Sequence, residues 1–540
     1  VALFPEGAIS RNGQLGAFRR GYSIPATQSG CPIVPFYLRG LWGSRWSAVS
    51  RHFRRNTDGL LTRDINLCFG PAQPPSASPR EVKDAVHRLS ILAWQEFARV
   101  QTSIPEKWLR AVKLAPARLA VADSSGQQLT TEELFLAALR FSRRVKSVPA
   151  GAVGILLPPG VQGALANMAT LLAGKTVVNL DPNLSAQAFD SCLRQAGVDT
   201  ILTSRQHLEK TGAQEKCGQV SILHVEEPRS LLRGTALTRA LIRLLPAPLL
   251  RVILPLRFKP DATAAIVFVP RQEPLPLGVR LGHSSIITNA RQVASLFPPR
   301  GDDVLLTAMP LHDSLGLTMT MFLPLLESVP VVCAFDPQEL RRLGRMCVDF
   351  EATMLCADPA MLAACVSSPV LHPLMFASLR AVLSGGESLR DECVQAFRHK
   401  FGLIVHDGYG TTETTPVATI NAPDVLNPLD LSVQQGRKPG TVGLPLPGSA
   451  LRIVDPATLA DLPHGETGLI LIGGTQVMQG YLGRDDLTAA SVIETDGIRW
   501  FVTSDRGRLD EDGFLVLGAN DPANPDRPTP KNLDLHCPST

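Results

Sequence analysis

The sequence contains no CxxC pair. Its ten cysteines stand singly, most of them in apolar surroundings. That argues against a zinc ribbon or a disulfide framework and for reduced core thiols in a cytosolic protein. No run of 18 uninterrupted apolar residues occurs, so no transmembrane helix is expected. A strong charge imbalance is also missing: the formal net charge is +4 and the charged fraction 19%. A globular enzyme fits this better than a disordered chain or a nucleic-acid binder, and no nucleic-acid partner is expected. There is no opening Met and no signal peptide. Val1 falls directly in an apolar run, so the natural protein is expected to begin upstream. Residues 1–63 hold no Lys but nine Arg, against only Glu6 and Asp58, which gives this piece a charge of +7 and leaves about −3 for the rest. Such a segment is suited to face an anion. At 540 residues the chain is too long for one core, and three or four domain-sized units are expected.

What is present is densest at Asp407-Gly408-Tyr409-Gly410-Thr411-Thr412-Glu413, where hydroxyls, glycines and one carboxylate follow the apolar run Phe401–His406. The run is expected to be a buried parallel strand. A Gly-rich turn beyond a strand's carboxyl end is where open α/β sheets hold ligands, so a nucleotide site is expected here.

Several segments lead up to this point. Val1–Phe4 is expected to be a strand running into Pro5-Glu6-Gly7-Ala8-Ile9-Ser10-Arg11, with a second strand at Pro32–Leu38 and a third at Asp64–Phe69. A Pro/Ser-rich connector (70–79) and a helix over about 80–99 follow, and the domain boundary is placed near 105. Thr130 and Glu133 form a capping box ahead of the stripe Leu134, Ala138, Phe141, Val145. Short apolar runs (153–157, 177–180, 200–203, 222–225, 264–269, 304–307, 329–333, 353–356, 381–384) then alternate with helical segments, which argues for two parallel sheets with helices on their faces. Residues 229–260 carry seven basic residues and no acid among Leu/Ile runs broken by Pro246, Pro248 and Pro255. Two readings stay open: a membrane-surface segment with Arg233, Arg239, Arg243 and Arg251 toward lipid phosphates, or a connector helix pair packed on the sheet. Beyond Gly436, shorter runs at 451–455, 468–472, 499–503 and 514–517 suggest a small antiparallel β subdomain, with 510–513 as a hairpin turn. Residues 521–540 read as a disordered or out-of-frame tail.

Two resemblances follow from these motifs. The Pro5–Arg11 segment and the strand at Pro32–Leu38 resemble the phosphate-binding motif and the V-P strand of glycerolipid 1-acyltransferases. The resemblance implies Glu6, Gly7 and Arg11 as a lysolipid phosphate site, with Arg19 and Arg20 as further cations. The family's H-x4-D pair would lie upstream of Val1. Residues from about 115 to 520 resemble the large domain of adenylate-forming acyl-CoA/acyl-ACP synthetases through Ser384-Gly385-Gly386-Glu387, Tyr409 to Glu413, Gly440 to Gly443, Gly480-Tyr481-Leu482 and Thr503-Ser504-Asp505. This second resemblance implies nucleotide contacts from Gly385, Gly386, Glu387, Tyr409, Gly410 and Asp505. It also implies catalytic roles for Thr411, Thr412 and Glu413, the last also near Mg²⁺.

The departures from the pattern are as specific. In the family's phosphate loop, Arg271 and Pro274 stand where glycines are usual, and Leu277 stands for the lysine, with Arg271 or Arg280 left as a replacement charge. His312-Asp313 fills the P-x-F-H-x-x-G positions and is expected to be a solvated loop. Ala519-Asn520 replaces the G-R that opens the family's lysine-bearing carboxy-terminal domain, so adenylation by this chain alone is expected to be crippled.

The order of motifs resembles the fused acyl-ACP synthetase/lysophospholipid acyltransferases. It implies an α/β protein with a partial acyltransferase domain (1–104), an adenylate-forming large domain (105–520) made of two parallel sheets plus a small β subdomain, and the tail. The implied activity is activation of a fatty acid with ATP and Mg²⁺, loading onto acyl carrier protein or CoA, and transfer to a lysophospholipid at a membrane surface. The implied location is the cytoplasmic face of the inner membrane, or the cytoplasm if the membrane part is lost. The alternatives are an inactive nucleotide- or acyl-binding remnant and a stand-alone adenylating domain of peptide-synthetase type.

Overall fold

The computed structural model describes residues 2–518 apart from 8, 9, 17, 45, 46, 48, 57–63, 219, 226, 255–257, 260, 271–274, 387, 388 and 428–430. The expected tail at 521–540 lies outside the described residues, as do Ala519 and Asn520.

The amino-terminal hundred residues form an antiparallel pair, Phe36–Arg39 with Asn66–Phe69, backed by the helix Pro79–Arg99. That helix starts where the sequence says it should: the Ser78 hydroxyl accepts from Glu81 N–H, the Glu81 carboxylate returns the bond, and Pro79 occupies the first turn. It serves two neighbours. Trp94 and Phe97 meet Arg39 of the strand pair, while Ile91 is fully buried among Ala450, Leu469, Leu471 and Trp500 of the small β subdomain. The strand expected at Val1–Phe4 is not formed by residues 2–4. Their neighbourhood is committed to a turn instead, with Gly7 N–H on the Phe4 carbonyl and Arg19 N–H on that of Pro5.

Beyond this lie two large sheets. In the first, Thr263–Val269, Thr176–Asn179, Ala152–Leu156, Thr200–Thr203 and Ser221–His224 are parallel, and Leu277–Gly282 and Gly480–Tyr481 close one edge antiparallel. The second runs parallel through Val405–Tyr409, Ala381–Ser384, Met354–Ala357, Leu305–Thr307, Val331–Cys333 and Leu119–Asp123, with antiparallel strands at both ends. Helices cover these sheets, which is why their strands read as continuous apolar runs rather than alternating ones. The main core lies among the helices Ile104–Leu114, Thr131–Lys146, Val161–Leu172 and His283–Leu296. The Thr130–Glu133 capping box is formed as expected. The small antiparallel sheet holds Ser449–Val454, Gly468–Gly474, Val492–Thr495, Ile498–Leu509 and Leu515–Leu517, with 510–513 turning between the last two.

One boundary differs in a way that matters. Phe401 ends the helix Asp391–Phe401, and Gly402 caps it in the left-handed conformation at φ 71°. Phe397 and Phe401 pack ring against ring at 4.7 Å, so the apolar run is divided between helix and strand. The strand is Val405–Tyr409, and the first part of the nucleotide motif is the strand end itself, not a turn beyond it.

Residues 229–260 contain two short helices, Ala236–Leu244 and Ala247–Ile253. Three of the four arginines expected to face lipid face the protein instead. Arg243 makes a bidentate pair with Glu132 at 2.7 Å, Arg239 reaches the same carboxylate at 3.4 Å, and Arg251 meets Glu106 at 2.6 Å. The Glu132 side chain is only 4% exposed, and a buried carboxylate recruits whatever cations its neighbours carry. Lys113 adds its ammonium to the carbonyls of Ile242 and Leu245. Among the described residues, no helix is long and apolar enough to cross a membrane.

Candidate adenylate site

Two adjacent parallel strands end side by side, Val405–Tyr409 and Ala381–Ser384. Past Ser384 the chain turns through Gly385 and Gly386, the latter at φ +94°, where glycine is favoured. Past Tyr409 it must squeeze through Gly410, where an added Cβ would stand 1.8 Å from the Pro416 carbonyl oxygen. No side chain fits there. The turn that follows is held by Thr414, whose hydroxyl accepts from Thr411 N–H and donates to the Thr411 carbonyl.

The motif's polar groups have specific partners. The Tyr409 hydroxyl donates to Asp505 Oδ2 at 2.8 Å, joining residues of two different sheets. Burial, and then the Asp505 charge, push the Tyr409 hydroxyl pKa well above its ordinary value, so this bond keeps its proton on tyrosine. Asp505 is held in turn by Thr503, whose hydroxyl accepts from Asp505 N–H and donates to the Ile470 carbonyl. Glu413 is 8% exposed; its Oε1 accepts from the Tyr481 hydroxyl at 2.8 Å, and its carbonyl accepts from Met478 N–H. Asn421 donates to Asp407 Oδ1 at 2.7 Å, yet burial still moves the Asp407 carboxyl up to about 6.

Two hydroxyls here, Thr411 Oγ1 and Ser384 Oγ, are buried without a hydrogen-bond partner. Buried polar groups are normally paired. Orphaned hydroxyls at the carboxyl ends of parallel strands, beside two glycine passages, suit the phosphate and sugar oxygens of a nucleotide. Among the described residues no group of three or more His, Cys, Asp or Glu could hold a metal. Mg²⁺ near Glu413 would therefore take most of its oxygens from nucleotide phosphates and water.

Thus Tyr409, Gly410, Thr411, Thr412 and Glu413 form one continuous segment, Asp505 is hydrogen-bonded to its Tyr409, and Gly385 and Gly386 follow the neighbouring strand. Glu387, Arg271 and Pro274 lie outside the described residues. Leu277, standing for the usual lysine, is 7% exposed and packs into the main core. Arg280, the other candidate charge, lies on the opposite face of its strand from Leu277. It pairs in register with Gly480, its guanidinium 3.3 Å from where a Gly480 Cβ would be, while the neighbouring pair Val279 and Tyr481 takes the opposite face, toward Glu413. His312 and Asp313 form no dyad: Asp313 caps the short helix Ser314–Leu317, and His312 Nε2 stands 3.9 Å from Asp181.

The residue of that loop that reaches the motif is Ser314, whose hydroxyl is 3.0 Å from that of Thr412. Sequence reading missed it, although it falls inside the P-x-F-H-x-x-G-like segment. Tyr481 was seen only as part of a linking segment. Asn421 carried no signal.

At the other end of the chain, Glu6 accepts from Gly16 N–H at 2.7 Å, and burial raises its carboxyl pKa. Gly7 turns at φ +70° with the Arg19 side chain against it. Arg11 is not aimed at that turn's centre: its N–H meets Gln434 and its guanidinium Asn427, at 2.8 and 3.4 Å.

Fold and site together define a domain of the adenylate-forming class. The sequence pattern of the AMP-binding enzyme family matches residues 108–482, and the chain belongs to that family. It is 31% identical over 269 residues to 4-coumarate–CoA ligase 2 of Solanum tuberosum, covering 48% of this chain and 47% of that protein. It is 25% identical over 393 residues to a long-chain-fatty-acid–CoA ligase of Salmonella typhimurium, covering 68% and 67%. The chain thus spans about half to two thirds of the length of these relatives. Among solved structures, VinN superposes with TM-score 0.63 at 23% identity, over 77% of this chain and 99% of that one. ATP-bound MatB from Rhodopseudomonas palustris gives 0.62 at 22%, over 76% and 78%. These two likenesses establish the fold. The family match begins at residue 108, so the amino-terminal strand pair lies outside it.

Proposed function

We propose that this protein activates a fatty acid as its acyl-adenylate and passes the acyl group to the thiol of acyl carrier protein or CoA. A carboxylate oxygen attacks the α-phosphorus of ATP, the bond from that phosphorus to the bridging oxygen breaks, and pyrophosphate departs. Thiolate attack on the carbonyl then releases AMP. In this reading Tyr409 and Asp505 hold the nucleoside, Asp505 through the ribose hydroxyls. Thr411 offers its unpaired hydroxyl to the α-phosphate, and Thr412 is set by Ser314. Glu413, oriented by Tyr481, would hold Mg²⁺, which supplies charge neutralisation on the leaving pyrophosphate. The observation that carries the reading is the convergence of Tyr409, Asp505 and Glu413 with two orphaned hydroxyls. The Salmonella relative supports a long-chain acid. The FPEG turn and its arginines support the finer proposal that the acyl group goes on to a lysophospholipid at the cytoplasmic face of a membrane.

ATP–pyrophosphate exchange by the whole native protein tests the reading, with long-chain fatty acids and 4-coumarate as competing acids. Exchange with the fatty acids is expected; absence of exchange with any acid sinks the enzymatic claim.

One observation favours a second reading. Leu277 lies in the core where a phosphate-binding lysine is usual, which fits a nucleotide- or acyl-binding remnant. Calorimetry showing AMP binding without exchange would select it.

A further inference from the structure

The two helices between residues 229 and 260 pair their arginines with carboxylates of the body, Glu132 and Glu106, and turn most of their aliphatic side chains outward. On Ala236–Leu244, Leu237, Leu241 and Leu244 recur at i, i+4 and i+7 and are exposed, Leu237 by 75% and Leu244 by 81%. Ile242 alone of that helix is buried in the core. On Ala247–Ile253, Leu249, Val252 and Ile253 form a second exposed stripe, Val252 at 70%, while Leu250 is buried. Both stripes therefore stand opposite residues anchored in the same core. Six large exposed aliphatic residues within 17 positions form a patch, not the scattered apolar surface that needs no explanation.

The surroundings of this patch are cationic. Arg229, Arg233 and Lys259 are exposed, and the Arg243 side chain remains 56% exposed beside Glu132. Between Pro228 and Pro260 there is no acid, although Glu227 and Asp261 bracket the segment. A cavity of about 480 Å³, lined by Leu232, Thr235, Arg239, Arg243 and Leu244, opens beside the first stripe and brings two guanidiniums to its edge.

From this arrangement we infer that the helix pair is an in-plane docking surface for an anionic lipid bilayer. The aliphatic stripes enter the boundary between headgroups and acyl chains, and the exposed Arg229, Arg233 and Lys259 stay at phosphate level with their methylene stems along the apolar side. Basic rim and anionic headgroup are complementary. A second copy meeting this face across a two-fold axis would set cation against cation. Glu132 and Glu106 have a clear part in this: by drawing Arg239, Arg243 and Arg251 toward the body, they orient both helices with the leucines outermost. The inference deepens the proposed function only in giving its membrane partner a surface. Catalysis is not assumed.

The test is co-sedimentation of the full chain with vesicles of equal parts phosphatidylcholine and phosphatidylglycerol, against vesicles of phosphatidylcholine alone. Binding to the anionic vesicles is expected, weakening as salt is raised, and about tenfold poorer to the neutral ones. Leu244→Glu with Val252→Glu should reduce binding about tenfold with the thermal midpoint unchanged, since both side chains already face water. Arg229→Glu with Arg233→Glu should weaken both the binding and its salt dependence, Lys259 remaining. Failure to bind anionic vesicles overturns the inference, as does undiminished binding by the Leu244/Val252 variant. A concentration-dependent dimer that the same substitutions abolish, without vesicle binding, assigns the patch to a second copy and overturns it as well. None of these measurements depends on ATP–pyrophosphate exchange, so the two proposals fail separately.

Discussion

The Tyr481 hydroxyl donates to Glu413 Oε1 across 2.8 Å, and both side chains are buried. Tyr481 belongs to the edge strand of the first large sheet, and Glu413 follows a strand of the second. The bond therefore ties the two sheets together at the nucleotide motif and fixes one carboxylate oxygen.

Tyr481→Phe should leave Glu413 Oε1 buried without its donor. A stability loss of about 1–3 kcal/mol is expected, read by denaturant titration. If the protein catalyses exchange, the Mg²⁺ concentration for half-maximal rate should rise while the apparent affinity for the fatty acid stays the same. An unchanged Mg²⁺ dependence would reduce Tyr481 to a packing residue.

Tyr409→Phe removes the donor to Asp505 and leaves that carboxylate free to turn. A hydrogen bond to a charged group is worth about 1.5–3 kcal/mol, so AMP affinity should fall about tenfold or more. Asp505→Asn should weaken binding similarly. The double variant should be little worse than either single one, because each change breaks the same contact. Isothermal calorimetry with AMP reads all three.

Asp407 gives a pH dependence with a definite sign. Its carboxyl is raised by burial from 3.8 to about 6. The native state thus binds the proton more tightly than the unfolded chain, and this group's contribution to stability is full below pH 3.8 and declines as the pH rises to about 6. His406 acts in the opposite direction, since burial lowers it from 6.5 to about 4 and costs stability as the pH falls through that window. Asp407→Asn isolates the first effect. It should stabilise the protein by about 1–3 kcal/mol at pH 8 and by almost nothing at pH 4, measured as the difference in urea midpoints.

Among the described residues, Arg291 and Glu327 form a deeply buried ion pair, 5% and 1% exposed, with one guanidinium nitrogen on both carboxylate oxygens. The Arg291 guanidinium also lies 4.1 Å over the Phe53 ring, so the pair joins the amino-terminal piece to the large domain. Glu327→Ala should cost about 3–5 kcal/mol, since it strands a buried cation. Replacing both residues with Met and Leu should cost much less. Thermal unfolding of the three variants distinguishes these outcomes.

Much of the framework could be read from local chemistry. The Thr130–Glu133 capping box, the helix over about 80–99 and the alternation of buried apolar runs with helical stripes depend on residues a few positions apart, and they appear in the structure where the sequence places them. The divided run at Phe401 was not legible, because an apolar residue at a helix end and one at a strand start look alike. Only the packing of Phe397 on Phe401 and the cap at Gly402 separate them. The direction of the arginines in 229–260 was likewise invisible, since Glu132 lies 111 positions from Arg243 and its burial is set by the fold.

The amino-acid sequence by itself determined the parallel α/β character, the glycines that let backbone approach backbone, and the motif in which a nucleotide is expected, because steric and periodic constraints act along the chain. Tertiary structure decided the partners: Tyr481 for Glu413, Asp505 for Tyr409, Glu132 for Arg243, and therefore which side of the 229–260 helices meets water. Those choices follow from desolvation. A carboxylate or hydroxyl removed from water takes the donor that the sheets bring beside it, and that neighbour is fixed only when distant strands close together.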